Sequence, residues 1–439
     1  MDTTTAAPKN AAPNATDGND QALQRYARLL VEHGAGLRSG QPLFIHGERA
    51  HRDLALRVAE VAYDLGAPFV SFRLPDPLEQ AQLIRRGRPD AVHMAFEDQR
   101  RWYNEILQHR GAIISLRGDE FPRLMADLAE SHPERHRLFT ESANAARALF
   151  HAHGINRNIT PWVVAGAVTT GWAQTVFPDL PEDEAVAQLS GWIYTFTRAD
   201  RDDAVAALGD LDNRLHARRR LLDSLEIREL RITGGGSDLR VGLAAEARWL
   251  GGSKTTADGQ TYNANVPSEE NFTTPDWRHT HGRLAATMPF RTKTGILVED
   301  LVMDFEDGRL VDFSASRGEE PFRRWVDSDV GARQLGEVAL VGGDSPIAQS
   351  GLFFEHTLYD ENASCHVALG QAYATALRGG PEMGAKQLEG LGVNRSSIHT
   401  DIMFGSDQVS IHASQSKDGE VPLIVDGRWV EPFLEPTAS

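Results

Sequence analysis

An α/β domain is predicted for the first half of this 439-residue chain, followed by a larger mixed α+β domain built from antiparallel hairpins. Two observations predict it. Up to about residue 225, helix-spaced apolar segments alternate with short β-type runs over short connections, the mark of a parallel sheet covered by helices. Beyond it, β-rich runs come in pairs around glycine-rich or Asp-Gly turns, the mark of hairpins.

The elements follow in order. Residues 1–20 are rich in Ala, Thr, Asn, Pro and Asp and have no apolar core behind a basic start, so a disordered tail is expected and not a secretion signal. "ALQRYARLLVEHG" predicts a helix, "PLFIHG" a strand, "RDLALRVAEVAYDLGA" a second helix and "PFVSFRL" a second strand. In the second helix Leu54, Val58, Val61, Ala62 and Leu65 share one face and Gly66 stops it. "AVHMAF" and "GAIISLRG" are read as further strands, with "QRRWYNEILQ" a helix between them. The Arg-rich helical segment "DNRLHARRRLLDSL" closes the first domain, assigned 21–225; the second is assigned 226–439. Its hairpins are "IRELRITGGGSDLRVGL", "TGILVEDLVMDFEDGRLVDFSASRG" and "PLIVDGRWVEPF".

Composition narrows the function. Sixty-two acidic against 45 basic residues give a net charge of −17, which opposes nonspecific binding to nucleic acid or an anionic membrane. No run approaches a membrane-spanning length of apolar residues. A single cysteine excludes a disulfide framework and a cysteine-rich zinc module, so a metal would need oxygen and nitrogen ligands. A cytoplasmic protein acting on small molecules or peptides is expected.

The stretch "LYDENASCHVALGQAY" (358–373) concentrates reactive side chains. Cys365 and His366 are adjacent, and neighbours on an extended strand point to opposite faces, which argues against a thiolate–imidazole pair. Cys365 is read as a packed small hydrophobe. Carboxylates and imidazoles flanked by β-type sequence recur at Glu269 and Glu270, Glu337, Glu361 and His366, and His399 and Asp401. His399 and Asp401, two apart in an extended segment, present a nitrogen and an oxygen to one side. The residues alone stop at a His/carboxylate metal site. "TGGGSD" lacks a following helix and a Lys-Ser/Thr pair, so it reads as a hairpin turn and not a phosphate cradle.

The series "PSEENFTTP", "LGEVALV", "SPI", "LYDENASCHVALGQAY" and "NRSSIHTDIMFGS" closely resembles the M29 family of metallo-aminopeptidases, and the similarity covers nearly everything after the tail. The resemblance implies a homodimer and two divalent metal ions per chain, zinc, cobalt or manganese. It implies Glu270, Glu337, His366, His399 and Asp401 as ligands, with Glu337 the bridge and Glu270 preferred over Glu269. Glu361, Tyr373 and Glu269 are the implied catalytic residues, Glu361 as the base or a further ligand and Tyr373 in contact with metal or the reacting oxygen. The implied reaction is hydrolysis of the first peptide bond by a hydroxide shared between the metals. His356 and the segment before Trp172 depart from the family pattern, so a metal-dependent hydrolase or ring-cleaving enzyme acting on a small metabolite is the alternative.

Overall fold

The computed structural model describes residues 19–292, 295–414 and 419–436. Of the expected tail, 1–18 lie outside the described residues; Asn19 and Asp20 already belong to the helix Asn19–Leu29. Among the described residues no helix is long and apolar enough to cross a membrane.

The chain divides into two compact units. The first comprises 1–209, 253–267 and 350–352, the second 210–252, 268–349 and 353–439. The expected domains were two uninterrupted segments meeting near 225. Two local facts underlie the different division. Leu222, on the helix Ala204–Ser224, is fully buried in the core of the second unit, and the short strand Asn265–Val266 pairs in parallel with Trp162–Gly166 of the first.

The first unit holds a five-stranded parallel sheet in the order Val70–Arg73, Leu43–His46, Ala112–Arg117, Trp162–Gly166, Asn265–Val266. The helix Arg52–Asp64 connects the first two of these strands in the chain and buries Leu54, Val58, Val61 and Ala62, as its spacing predicts. On the opposite face of the sheet, Phe44 and Ile113 pack against Trp102, Tyr103 and Ile106 of the helix Glu97–His109 and Phe150 of Pro133–Phe150. "AVHMAF" is not a strand. It lies in a 3₁₀ helix, Pro89–Phe96, and packs Val92 and Phe96 against Ala146 and Phe139. A short apolar run has no period to separate strand from helix, and Pro89 fixes a helical start.

The second unit contains an eight-stranded sheet in which the predicted hairpins appear as Glu229–Gly234 with Ser237–Leu243, Val302–Glu306 with Arg309–Ser314, and Glu420–Val425 with Arg428–Trp429. It also contains a smaller antiparallel sheet ordered Asn271–Thr273, Leu335–Leu340, His366–Gly370, His399–Met403. One face of this smaller sheet feeds the unit's core through Val338, Leu340, Val367, Leu369 and Ile402. Alternation along each strand sends the intervening side chains to the other face.

Candidate metal centre

The other face of the four-stranded sheet carries the candidate ligands. Glu337 is in register with Ala368, and Ala368 with Asp401, so two carboxylates flank one methyl in a single cross-strand row. His366 lies two residues before Ala368 and His399 two before Asp401, on the same face. The remaining positions between them are Ala339, Ala368 and Gly370, which leave volume above the sheet. Gly370 has φ +103° and a Cβ there would stand 2.2 Å from the Ile398 carbonyl oxygen, so only glycine fits. Glu270 enters from the residue preceding the edge strand Asn271–Thr273. Behind the last strand, Trp325 Nε1 donates to Thr400 Oγ1 at 2.8 Å and fixes its position.

Glu337 stands at the centre. Its Oε1 is 3.8 Å from His366 Nε2 and its Oε2 is 3.7 Å from His399 Nε2. Outside these, Glu270 Oε2 is 3.3 Å from His366 Nε2, and Asp401 Oδ1 is 3.2 Å from His399 Nε2. Ligand atoms of Glu270, Glu337 and His366 all lie within 4.8 Å of one another, a grouping that suits a metal ion. His366 is 1 % exposed and Glu337 5 %.

Both imidazoles are oriented by backbone. His366 Nδ1 lies 3.1 Å from the Ser364 carbonyl oxygen and His399 Nδ1 2.7 Å from that of Gln371. A carbonyl can only accept, which assigns the proton to Nδ1 and leaves each Nε2 lone pair facing carboxylates. Glu270 Oε2 is sealed from solvent and accepts no hydrogen bond. Two electron-rich atoms at 3.3 Å need a cation between them, a proton or a metal.

The electrostatics say the same. Burial works against a charged His366, yet Glu270 and Glu337 outweigh it and hold its pKa well above the ordinary value. His399 is raised too, burial being overcome by Asp401 and Glu337. Burial raises Glu337 despite His366 and His399. Glu361, which opens a one-turn helix before the His366 strand, is raised strongly by burial and then by Asp401, Glu270 and Glu337. So many acids in one dry pocket are what an ion of charge +2 stabilises.

The other expected residues surround this cluster. Tyr373 follows the His366 strand with its ring 5.0 Å from that of His399; it is 45 % exposed, and enclosure together with Glu337 and Asp401 still raises its pKa. Glu269 is buried, and its backbone N–H donates to Asn362 Oδ1 at 2.6 Å. Cys365 is buried with its pKa pushed up to about 11 by burial, and its thiol lies against the Val341 backbone, as a packed residue. Beside His399 and Asp401 a depression is lined by Phe290, Arg291, Glu355, His356 and Asp360. Arg291 pairs with Glu355 at 2.6 Å. Asp360 accepts the N–H groups of Phe354 and His356, which shapes this wall. Sequence reasoning missed Arg291, Glu355 and the supporting pair Asp360 and Asn362. The run "DEN" offered the only signal, two carboxylates and an amide beside a ligand strand.

Known proteins are similar to this chain over nearly its whole length. The description of thermophilic metalloproteases (M29) matches residues 19–429. Aminopeptidase T of Thermus aquaticus is 37 % identical over 420 residues, covering 94 % of this chain and all of the relative. Aminopeptidase AmpS of Bacillus subtilis is 33 % identical over 94 % of this chain and 99 % of its own. The solved structure of wild-type AmpT from Thermus thermophilus superposes with a TM-score of 0.81 at 32 % identity, over 94 % of this chain and 99 % of that one. A family match over residues 19–429 and relatives 33–37 % identical over nearly their full length lead to one conclusion: the chain belongs to the M29 family of thermophilic metalloproteases.

Proposed function

We propose that the chain is an aminopeptidase that releases the N-terminal residue of peptides, using two divalent ions held by Glu270, Glu337, His366, His399 and Asp401. The observation that carries the two-ion reading is the position of Glu337, whose two carboxylate oxygens face different imidazoles at 3.8 and 3.7 Å, the Nε2 of each imidazole having a second carboxylate, Glu270 or Asp401, beside it. Relatives named as aminopeptidases over nearly their full length support a peptide substrate. Zinc, cobalt and manganese all suit mixed imidazole and carboxylate ligands. We take the working form to be a cytoplasmic homodimer.

Bound divalent ions supply Lewis acidity, lowering the pKa of water and polarising a carbonyl. The chain's own groups do the rest. Ser364 and Gln371 carbonyls keep both imidazoles in the ligating tautomer. Glu361, buried among Asp401, Glu270 and Glu337, takes the proton from the attacking water and returns it to the departing amine. Glu269 is the alternative carrier. Tyr373, beside His399, donates to the oxygen that gains charge as the carbonyl is attacked. The substrate's free α-amino group would sit against a metal or an acidic side chain, which restricts cleavage to the first bond.

The test pairs elemental analysis with hydrolysis of a leucyl chromogenic substrate before and after chelation. About two ions per chain and cleavage that chelator abolishes and metal restores are expected. Metal without cleavage of any aminoacyl or peptide substrate would move the substrate elsewhere; no metal after reconstitution would end the mechanism.

A further inference from the structure

In the first unit the strand order reverses around Leu43–His46 and Ala112–Arg117: the chain leaves the first toward one edge of the sheet and the second toward the other. In open parallel sheets such a switch point leaves a crevice outside the carboxyl ends of the two strands, where ligands bind. Those ends are His46 and Arg117. His46 is in register with Arg73 on one side and Ser115 on the other. His46, Arg73, Ser115 and, two residues on, Arg117 therefore share a face. It is the face on which Phe44 packs on Trp102, and the Trp102 ring stands 6.2 Å from His46. Arg147 belongs to the helix that covers the same face.

Acids near these cations stop short of pairing with them: Asp119 and Glu48 act on Arg117, and Asp98 on Arg73, without reaching ion-pair distance. Among the described residues Arg73, Arg117 and Arg147 form no ion pair, whereas nearby Arg49 pairs with Asp76 at 3.3 Å. Arg73 donates from Nη2 to Gln99 at 3.2 Å, while its Nε is sealed from solvent with no acceptor. Arg147 donates only to Asn144, at 2.6 Å. Arg117, exposed at the end of its strand, donates no hydrogen bond to any described residue. Burial, then Arg117, Arg73 and Arg147 together, hold His46 neutral with a pKa of about 3. The acids flanking Arg117 are Asp119 and Glu48. Glu48 already accepts the Glu120 N–H at 3.1 Å, and burial pushes its pKa to about 7. In a chain of net charge −17, three guanidiniums, Arg117 exposed and Arg73 and Arg147 half-buried, gather on one face at the strand ends with no carboxylate paired to them among the described residues.

We propose that this crevice is an oxyanion site, which takes the phosphate or carboxylate group of a small molecule on Arg117, Arg73 and Arg147, with Trp102 as its apolar wall. Guanidinium forks match both groups geometrically. The site uses none of the residues of the metal centre.

Calorimetric titration of the full-length, metal-loaded protein with orthophosphate, and separately with succinate, at constant ionic strength tests it. Saturable binding below about 10 mM is expected, weakened at least about tenfold by Arg117→Gln and by Arg147→Gln, and unchanged by Arg283→Gln, which breaks only the surface pair with Asp304. Binding of phosphate alone assigns a phosphoryl ligand, and binding of succinate alone a carboxylate; either supports the site. Thermal melts identify any variant that fails to fold, and hydrolysis of the leucyl substrate by Arg117→Gln without added anion should match the parent. Binding of neither anion, or binding that both folded variants retain at full strength, overturns the proposal.

Discussion

Replacing Glu337 with glutamine keeps the volume of a side chain that is 5 % exposed and removes the charge shared by two imidazole-carboxylate sets. The effect splits by state. On the two-ion reading proposed above, both ions would lose an anionic ligand in the loaded protein. Partners outside the first ligand sphere alone cost about 10–100-fold in affinity or activity, so a shared inner ligand should cost at least about 100-fold in hydrolysis, about 2.7 kcal/mol of transition-state stabilisation. In the metal-free protein the substitution removes a buried acid that burial already disfavours in its charged form, so the variant should melt no lower than the parent. Ions at 100 times their dissociation constant stabilise by about 2.7 kcal/mol, roughly 5–10 °C for a domain of this size. The variant should show less than about half of that shift. Scanning calorimetry with and without metal, elemental analysis and the leucyl assay read all three quantities. Full metal content with full activity would refute the bridging role; a metal-free variant several degrees less stable than the metal-free parent would show that Glu337 serves packing.

Further predictions follow from the same geometry. Ala368→Val adds bulk in the row between Glu337 and Asp401; metal affinity should fall at least about tenfold with the fold intact, and equilibrium dialysis measures it. Tyr373→Phe should lower kcat about 10–100-fold at unchanged metal content and nearly unchanged KM, the pattern of a group acting in the transition state; an equal rise in KM with constant kcat would assign it to substrate binding instead. His51 is buried, with Nε2 2.7 Å from the Gly118 carbonyl oxygen and Nδ1 accepting the Glu48 N–H at 2.9 Å, and burial holds its pKa down to about 4. Between about pH 6.5 and 4 the unfolded chain binds a proton that the native state refuses, so stability falls as pH falls through that window, by up to about 3 kcal/mol at 1.36 kcal/mol per pH unit. His51→Gln should be less stable at neutral pH and lose less on acidification; identical slopes in parallel acid melts would remove His51 as the cause.

How much of this was legible in the sequence depends on how far each signal reaches. His399 and Asp401 form a pair that a two-residue period exposes directly. Glu337 and His366 meet across strands through the antiparallel register, which no local pattern reports, so only the family resemblance joined them in advance. The carbonyls of Ser364 and Gln371 orient both imidazoles as backbone, and backbone leaves no residue-type signal. The hairpins announced themselves because their turns need particular residues. "AVHMAF" misled because six apolar-rich residues fit either a strand or a helix, and packing on Ala146 and Phe139 decided it. The strand Asn265–Val266 is two residues long and carries no pattern at all.

The four-stranded sheet has one further consequence. Its candidate ligands are far apart in the chain: Glu337, His366 and the pair His399 and Asp401 meet when three strands have found their register, and Glu270 joins them with the edge strand. Uptake of a divalent ion by the refolding chain should therefore follow the pairing of these three strands and not precede it. A slipped chain would carry the same acids and histidines without the register that gathers them, so retained metal would report a correctly paired sheet.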